Sequence, residues 1–238
     1  MRSTSQPTPP LAWQSLPRGG YIAEQLQQRL DDWSSRLFGF TLLKVDPLSA
    51  ALSLEQSRLR QGVIMAQFPV DGMDLQADAT AMPFAAGSLD ACLLAHVLDY
   101  SAHPHAILRQ TELALRDDGW LILTGFNPYS LAGLSCLLPG VQRRLPRWRQ
   151  MLSPNRLEDW LKLLGFEVIE RDYFGFSALG YMPRLAYWRQ QLCPNYCPSL
   201  AAVYIFLARK RRFPLTPIRE LQPVKHALSQ PGMARQLK

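Results

Sequence analysis

The stretch from Leu75 to Asn127 constrains the fold of this chain more than any other. It holds two short apolar runs, Leu89 to Val97 and Trp120 to Thr124, with a segment of helical spacing between them. The first run is bounded by Gly87-Ser88 and by a polar loop. Runs that are apolar on both faces suit strands buried inside a parallel sheet. Ala106, Ile107, Leu108, Leu113 and Leu115 fall among polar residues at helical steps, which predicts a helix over Pro104–Arg116 and a turn at Asp117-Asp118-Gly119. Strand, crossover helix and strand make the right-handed unit of an α/β sheet. Ligands of such sheets sit beyond the carboxyl ends of the strands. Two loops, Ala77–Phe84 and Ala95–His103, are expected there.

The same pattern continues outward. Ile22, Leu26, Leu30, Trp33 and Leu37 recur at three- and four-residue steps, predicting a helix over Tyr21–Leu37. Phe40 to Val45 reads as the first strand, Gly62 to Phe68 as the second, Phe166 to Ile169 as the sixth and Ala201 to Leu207 as the seventh. Ser153-Pro154 offers an N-cap followed by proline at the first helical position. Leu157, Trp160, Leu161 and Leu164 form the buried face of that helix, and Gly165 closes it. Residues 1–20, rich in Pro, Ser and Gln, read as a disordered arm. Residues 21–212 read as the folded domain, with an insertion at 131–152 that mixes basic and apolar residues, and 213–238 as a basic tail.

Composition excludes several classes. A chain of 238 residues, 47% hydrophobic, has room for one α/β domain with a real core and is not a disordered chain. Four cysteines at 92, 136, 193 and 197 are too few for a disulfide scaffold. Cys193 and Cys197 have a spacing that zinc accepts, but no second pair exists, so they read as loop cysteines. His103 and His105 flank Pro104 and read as loop and helix-start residues, not metal ligands. No apolar run approaches the roughly 18 residues of a membrane span, and Arg2 is not followed by a signal-peptide core, so a cytoplasmic location is expected. The net charge of +7 is concentrated at Arg143, Arg144, Arg147 and Arg149 and at Arg209–Arg212. A solvated basic surface and a weak contact with a polyanion both fit that pattern; no RNP, helix-turn-helix or zinc-finger motif accompanies it.

Three segments together resemble class I S-adenosylmethionine-dependent methyltransferases of the type 11 subgroup. They are Ala77-Asp-Ala-Thr-Ala-Met-Pro-Phe84, Ser88-Leu-Asp-Ala91 and Leu115-Arg-Asp-Asp-Gly-Trp-Leu-Ile-Leu123, and the likeness runs from about Phe38 to Lys210. It implies a Rossmann-like sheet of seven strands, mostly parallel, with the last strand antiparallel and helices on both faces. It implies S-adenosylmethionine as cofactor, with Asp78 accepting from the adenine amine beside the Ala79 backbone. Read from the residues alone, Asp78 is equally a cap of its local turn. Ala95 and His96 would border the methionine end and the acceptor, where a lone histidine serves as pocket wall or as base.

The family's glycine-rich turn after the first strand would lie near Val45, Asp46 and Leu48. This chain has Asp46-Pro-Leu-Ser-Ala50 there, with no glycine and with Pro47 removing a donor. Asp46 would stand near the methionine end, facing the cofactor's ammonium and carboxylate, and binding weaker than the family's is expected. The acid that the family keeps after the second strand, for the ribose, could be Gln67, Asp71 or neither. Asn127-Pro128-Tyr129 reads as a turn.

Methyl transfer is an in-line displacement in which the protein orients and desolvates, so the lack of an acid–base pair is compatible with an enzyme. Two functions follow: a methyltransferase of unknown acceptor, or an inactive scaffold of the same fold that binds a partner. A nicotinamide enzyme is disfavoured, because no Gly-x-Gly-x-x-Gly follows the first strand.

Overall fold

A computed structural model describes residues 9–130, 133, 151–175 and 201–211. Its strands are β1 (Phe38–Val45), β2 (Arg58–Ala66), β3 (Leu75–Gln76), β4 (Leu89–Ala95), β5 (Leu115–Phe126), β6 (Phe166–Phe174) and β7 (Val203–Lys210). Its helices are α1 (Gly19–Ser34), the short α2 (Asp46–Ala50) and α3 (Val97–Tyr100), α4 (Pro104–Ala114) and α5 (Pro154–Leu163), preceded by a 3-10 turn at Trp13–Ser15.

The strands form one sheet in the order β3-β2-β1-β4-β5-β7-β6. β1 pairs with β2 and β4, β2 with β3, and β4 with β5, all parallel. β7 runs antiparallel to both β5 and β6. Central β4 is buried along its whole length, which explains a run that is apolar except for Asp90. Ala91, Leu93 and Ala95 face α1, while Cys92 and Leu94 face α4 and α5, so each face has its own core. On the first face Ile22, Leu26, Leu30 and Trp33 of α1 pack on the sheet. Ser153 caps α5 by accepting from the Arg156 N–H, and Gly165, at a φ of 79°, takes the left-handed position that ends it.

Several boundaries differ from the sequence reading. α1 begins at Gly19 and ends at Ser34. A Cβ on Gly19 would lie 1.5 Å from the Trp13 carbonyl oxygen, so Gly19 is a packing contact that periodicity does not reveal. Residues 9–20 are no free arm: Trp13 and Leu16 are both buried in the α1 core. α4 stops at Ala114, and Arg116–Gly119 bulge within β5, where Asp118 has a φ of 64°. β2 begins at Arg58 and ends at Ala66, and β6 and β7 continue to Phe174 and Lys210, because pairing extends them past their most apolar parts.

Long-range polar contacts fix the register. Asp90, at the start of β4, accepts from the Phe40 and Thr41 amides through Oδ2 and pairs with Arg116 through Oδ1. The last strand is pinned similarly: Lys210 Nζ donates to the Leu115 carbonyl at 2.9 Å and pairs with Glu112. Arg209 and Arg211 pair with Asp118, and Arg211 also with Glu167. These three cations of the 209–212 cluster are therefore tied to the domain's own acids. The arginines at 143–149, most of the 131–152 insertion, the tail, and Cys136, Cys193 and Cys197 lie outside the described residues; Cys92 is a buried free thiol. Among the described residues no helix is long and apolar enough to cross a membrane.

Candidate functional site

The carboxyl ends of β1, β2, β3 and β4 converge on one edge of the sheet, and a cleft of about 260 Å³ opens there. Asp46, Gln67, Asp78, Ala79, Tyr100 and His103 are among the residues that line it. This is the edge at which open parallel sheets hold their ligands.

Asp46–Ala50 folds as a single helical turn, not as an open loop. Pro47 fits because it stands in the first turn, where its missing N–H has no helical partner to lose. Asp46 carries a φ of 67°, a left-handed backbone held by a residue that is not glycine. Ser49 Oγ accepts from the Ala95 amide at 2.8 Å and ties α2 to the end of β4. Burial pushes the Asp46 carboxyl up to about 6; the Gln67 backbone amide favours the charged form, and the nearby Asp78 charge opposes it.

Asp78 does cap its turn. Its Oδ1 accepts from the Thr80 amide at 2.7 Å and from the Thr80 hydroxyl at 2.8 Å. Asp78 also lines the cleft. Asp46, Asp78 and Ala79 are brought together at one cleft. Val45, Leu48, Ala95 and His96 are buried and do not line it. Leu48 offers its carbonyl to the Trp13 indole N–H at 3.1 Å, so its backbone is engaged from within the chain. Asp71 stands on an exposed turn outside the cleft.

His96 is completely buried and has a φ of 57°, at the junction of β4 and α3. Its ring lies between Trp13, edge-on at 5.7 Å, and Phe126 at 4.1 Å. Nδ1 meets Asp99 Oδ2 at 2.9 Å, and the same oxygen accepts from the Phe126 amide at 3.0 Å. Burial raises the Asp99 carboxyl, and the His96 and Phe126 bonds oppose that rise. His96 Nε2 and Asp99 Oδ1 have no partner among the described residues, an uncommon state for buried polar atoms. Periodicity did not single out Asp99 or Trp13. The i, i+3 spacing from His96 was a legible signal for Asp99, whereas Trp13 had none inside a Pro-rich arm. Asn127 forms the predicted turn, its Oδ1 accepting from the Tyr129 amide. Among the described residues no group of histidine, cysteine and acid side chains could hold a metal.

Comparison with known proteins agrees with this architecture. The model of the methyltransferase domain family matches residues 20–123. A SAM-dependent methyltransferase from Archaeoglobus fulgidus superposes with a TM-score of 0.56 at 14% identity, covering 79% of this chain and 94% of that one. The [4+2]-cyclase SpnF superposes with a TM-score of 0.55 at 17% identity, covering 81% and 82%. The chain belongs to the class I S-adenosylmethionine-dependent methyltransferase-like family, type 11 subgroup. Within that family it is 36% identical over 224 residues to the uncharacterized protein YafS of Escherichia coli K12, covering 93% of this chain and 88% of that protein.

Proposed function

We propose that this protein is an S-adenosylmethionine-dependent methyltransferase whose nucleoside-binding site is the cleft at the ends of β1 to β4. The observation that carries this reading is the convergence of Asp46, Asp78 and Ala79 on the ligand edge of a parallel sheet. Asp78 would accept from the adenine amine beside the Ala79 backbone, because Thr80 engages only its Oδ1. Val45 and Leu48 would back the site from the first strand and α2, and Ala95 and His96 from the end of β4. When bound, the cofactor supplies an electrophilic methyl group on a sulfonium centre; the chain orients it and excludes water.

The fit is to the nucleoside half. A volume of about 260 Å³ lies below the roughly 300–1,000 Å³ of a typical small-molecule pocket. Trp13 is buried beside α2, its indole donating to the Leu48 carbonyl at 3.1 Å. A methionine half lying against Leu48 would have to displace that contact. That covering contact also favours the second reading, a scaffold of this fold that acts through a partner, since fold alone does not fix chemistry.

Calorimetric titration with S-adenosylmethionine and S-adenosylhomocysteine separates the two. The enzyme reading expects measurable heat for both, with weaker binding than is usual in the family. It also expects a thermal shift, since ligand at a hundred times its Kd adds about 2.7 kcal/mol. Asp78→Ala should weaken binding about tenfold or more, at roughly 1.4 kcal/mol per decade. No heat and no thermal shift at millimolar cofactor would leave the scaffold reading standing.

A further inference from the structure

We propose that the groove between α4 and α5 is a docking surface for an acidic segment of another protein, which inserts an apolar side chain between the two helices. The groove and the cleft at the ends of β1 to β4 share no lining residue among those described, so this surface does not depend on the cofactor reading.

Each helix carries two stripes. In α4, Ile107, Leu108, Thr111 and Ala114 are buried. Ala106, Arg109, Gln110 and Leu113 recur at three- and four-residue steps and form a second stripe that the core does not use. In α5, Leu157 and Leu161 join the core, while Arg156, Trp160 and Leu163 follow one another at such steps. Between the second stripes lies a groove of about 480 Å³, lined by His105, Ala106, Arg109, Trp160, Leu163 and Leu164 among others. The His105 and Trp160 rings stack there with centroids 3.4 Å apart. Leu163 is 85% exposed, and Leu113 on the same stripe of α4 as Arg109 is 50% exposed. One exposed leucine is ordinary, but a leucine that lines a groove beside stacked rings is a place for a partner's side chain.

Charge selects the occupant. The Arg156 guanidinium lies 5.1 Å over the Trp160 ring, and Arg109 lines the groove. Neither makes an ion pair with an acid among the described residues. The nearby acids are already engaged: Glu112 by Lys210, and Glu158 by Lys162 and Arg171. Asp159, three residues beyond Arg156, is exposed and does not pair with it. Two guanidinium groups beside an apolar lining suit carboxylates flanking an apolar anchor. Two charges are too few to hold a polyanion by themselves, so the anchor has to share the binding. The chain's own segments are poor occupants: those outside the described residues contain one acid, Glu220, and a second copy carries the same net charge of +7. An acidic amphipathic helix laid between two helices meets each of these features.

The test uses the full chain and a fluorescently labelled, alanine-based helical peptide with leucines at helical spacing flanked by glutamates. Its counterparts carry lysine for glutamate, or serine for leucine. Binding is read as anisotropy, and circular dichroism verifies that each variant folds. Wild type should bind the leucine–glutamate peptide and neither counterpart comparably. Leu163→Ser should weaken it about tenfold. Arg109→Glu combined with Arg156→Glu should weaken it at least tenfold and gain binding of the lysine peptide, a rescue that mere unfolding cannot give. Alanine at Arg143, Arg144, Arg147 and Arg149 should leave the affinity within about twofold. No binding by wild type at millimolar peptide would overturn the proposal. So would equal affinity for the serine peptide, or a loss seen with the 143–149 variant and not with the 109 and 156 variant. A single-stranded oligonucleotide bound more tightly than the peptide, and lost on the 109 and 156 variant, would assign the groove to nucleic acid and overturn it too.

Discussion

Asp46 combines three costs at one position: a left-handed backbone, partial burial and a second carboxylate nearby. Its carboxyl is raised from the ordinary 3.8 to about 6 in the fold, so folding favours its protonated form. The corresponding stability is fully present below about pH 4 and is lost as pH rises through about 6. The full difference is on the order of 3 kcal/mol. Asparagine carries no charge to desolvate, so Asp46→Asn should melt above wild type at pH 8, with the gap closing toward pH 4. Thermal melts across that range check this. A variant less stable than wild type at pH 8 would mean that the carboxylate is stabilised in the free protein.

At the scale of elements, the Trp13–Ser15 turn joins the N-terminal segment to the site. Trp13 packs against α1, edges onto His96 and donates to Leu48 at the heart of α2. Replacing a buried tryptophan with alanine costs about 3–5 kcal/mol, and losing one hydrogen bond about 0.5–1.5 kcal/mol. Trp13→Ala should therefore lower stability in urea by several kcal/mol, and Trp13→Phe by far less. An alanine variant within about 1 kcal/mol of wild type would show that the segment is not part of the core. The short helix α2 makes the complementary point: where a glycine turn would bring bare backbone to a ligand, this chain presents one helical turn tied to β4 through Ser49.

At the scale of the molecule, charge separates from fold. The net charge is +7, yet Arg209, Lys210 and Arg211 are partnered by Asp118, Glu112 and Glu167. Paired cations contribute little to a free basic surface, so any polyanion contact should come from Arg143, Arg144, Arg147 and Arg149 and from residues 212–238. A chain ending after Arg211, with alanine at those four arginines, should lose salt-sensitive retention on heparin. Retention equal to that of the full chain would place the contact within the described domain. Retention independent of salt in the full chain would remove electrostatics as its cause.

Much of this architecture was legible in the residues. The mostly apolar run of β4, the helical spacing of α4, the cap and stop of α5 and the Asp78-to-Phe84 motif each encode a local preference, and local preferences are written in neighbouring residues. The same locality let the sequence mark Asp46 as the break in the glycine turn. Contacts between distant residues were decided only by the tertiary structure. Trp13 entered the core because Gly19 allows the chain to fold back on it, and His96 met Asp99 inside the protein because α3 turns directly off β4. Asp46 reached the cleft wall beside Gln67 through the pairing of β1 with β2, two strands whose ends are neighbours in space but separated along the chain.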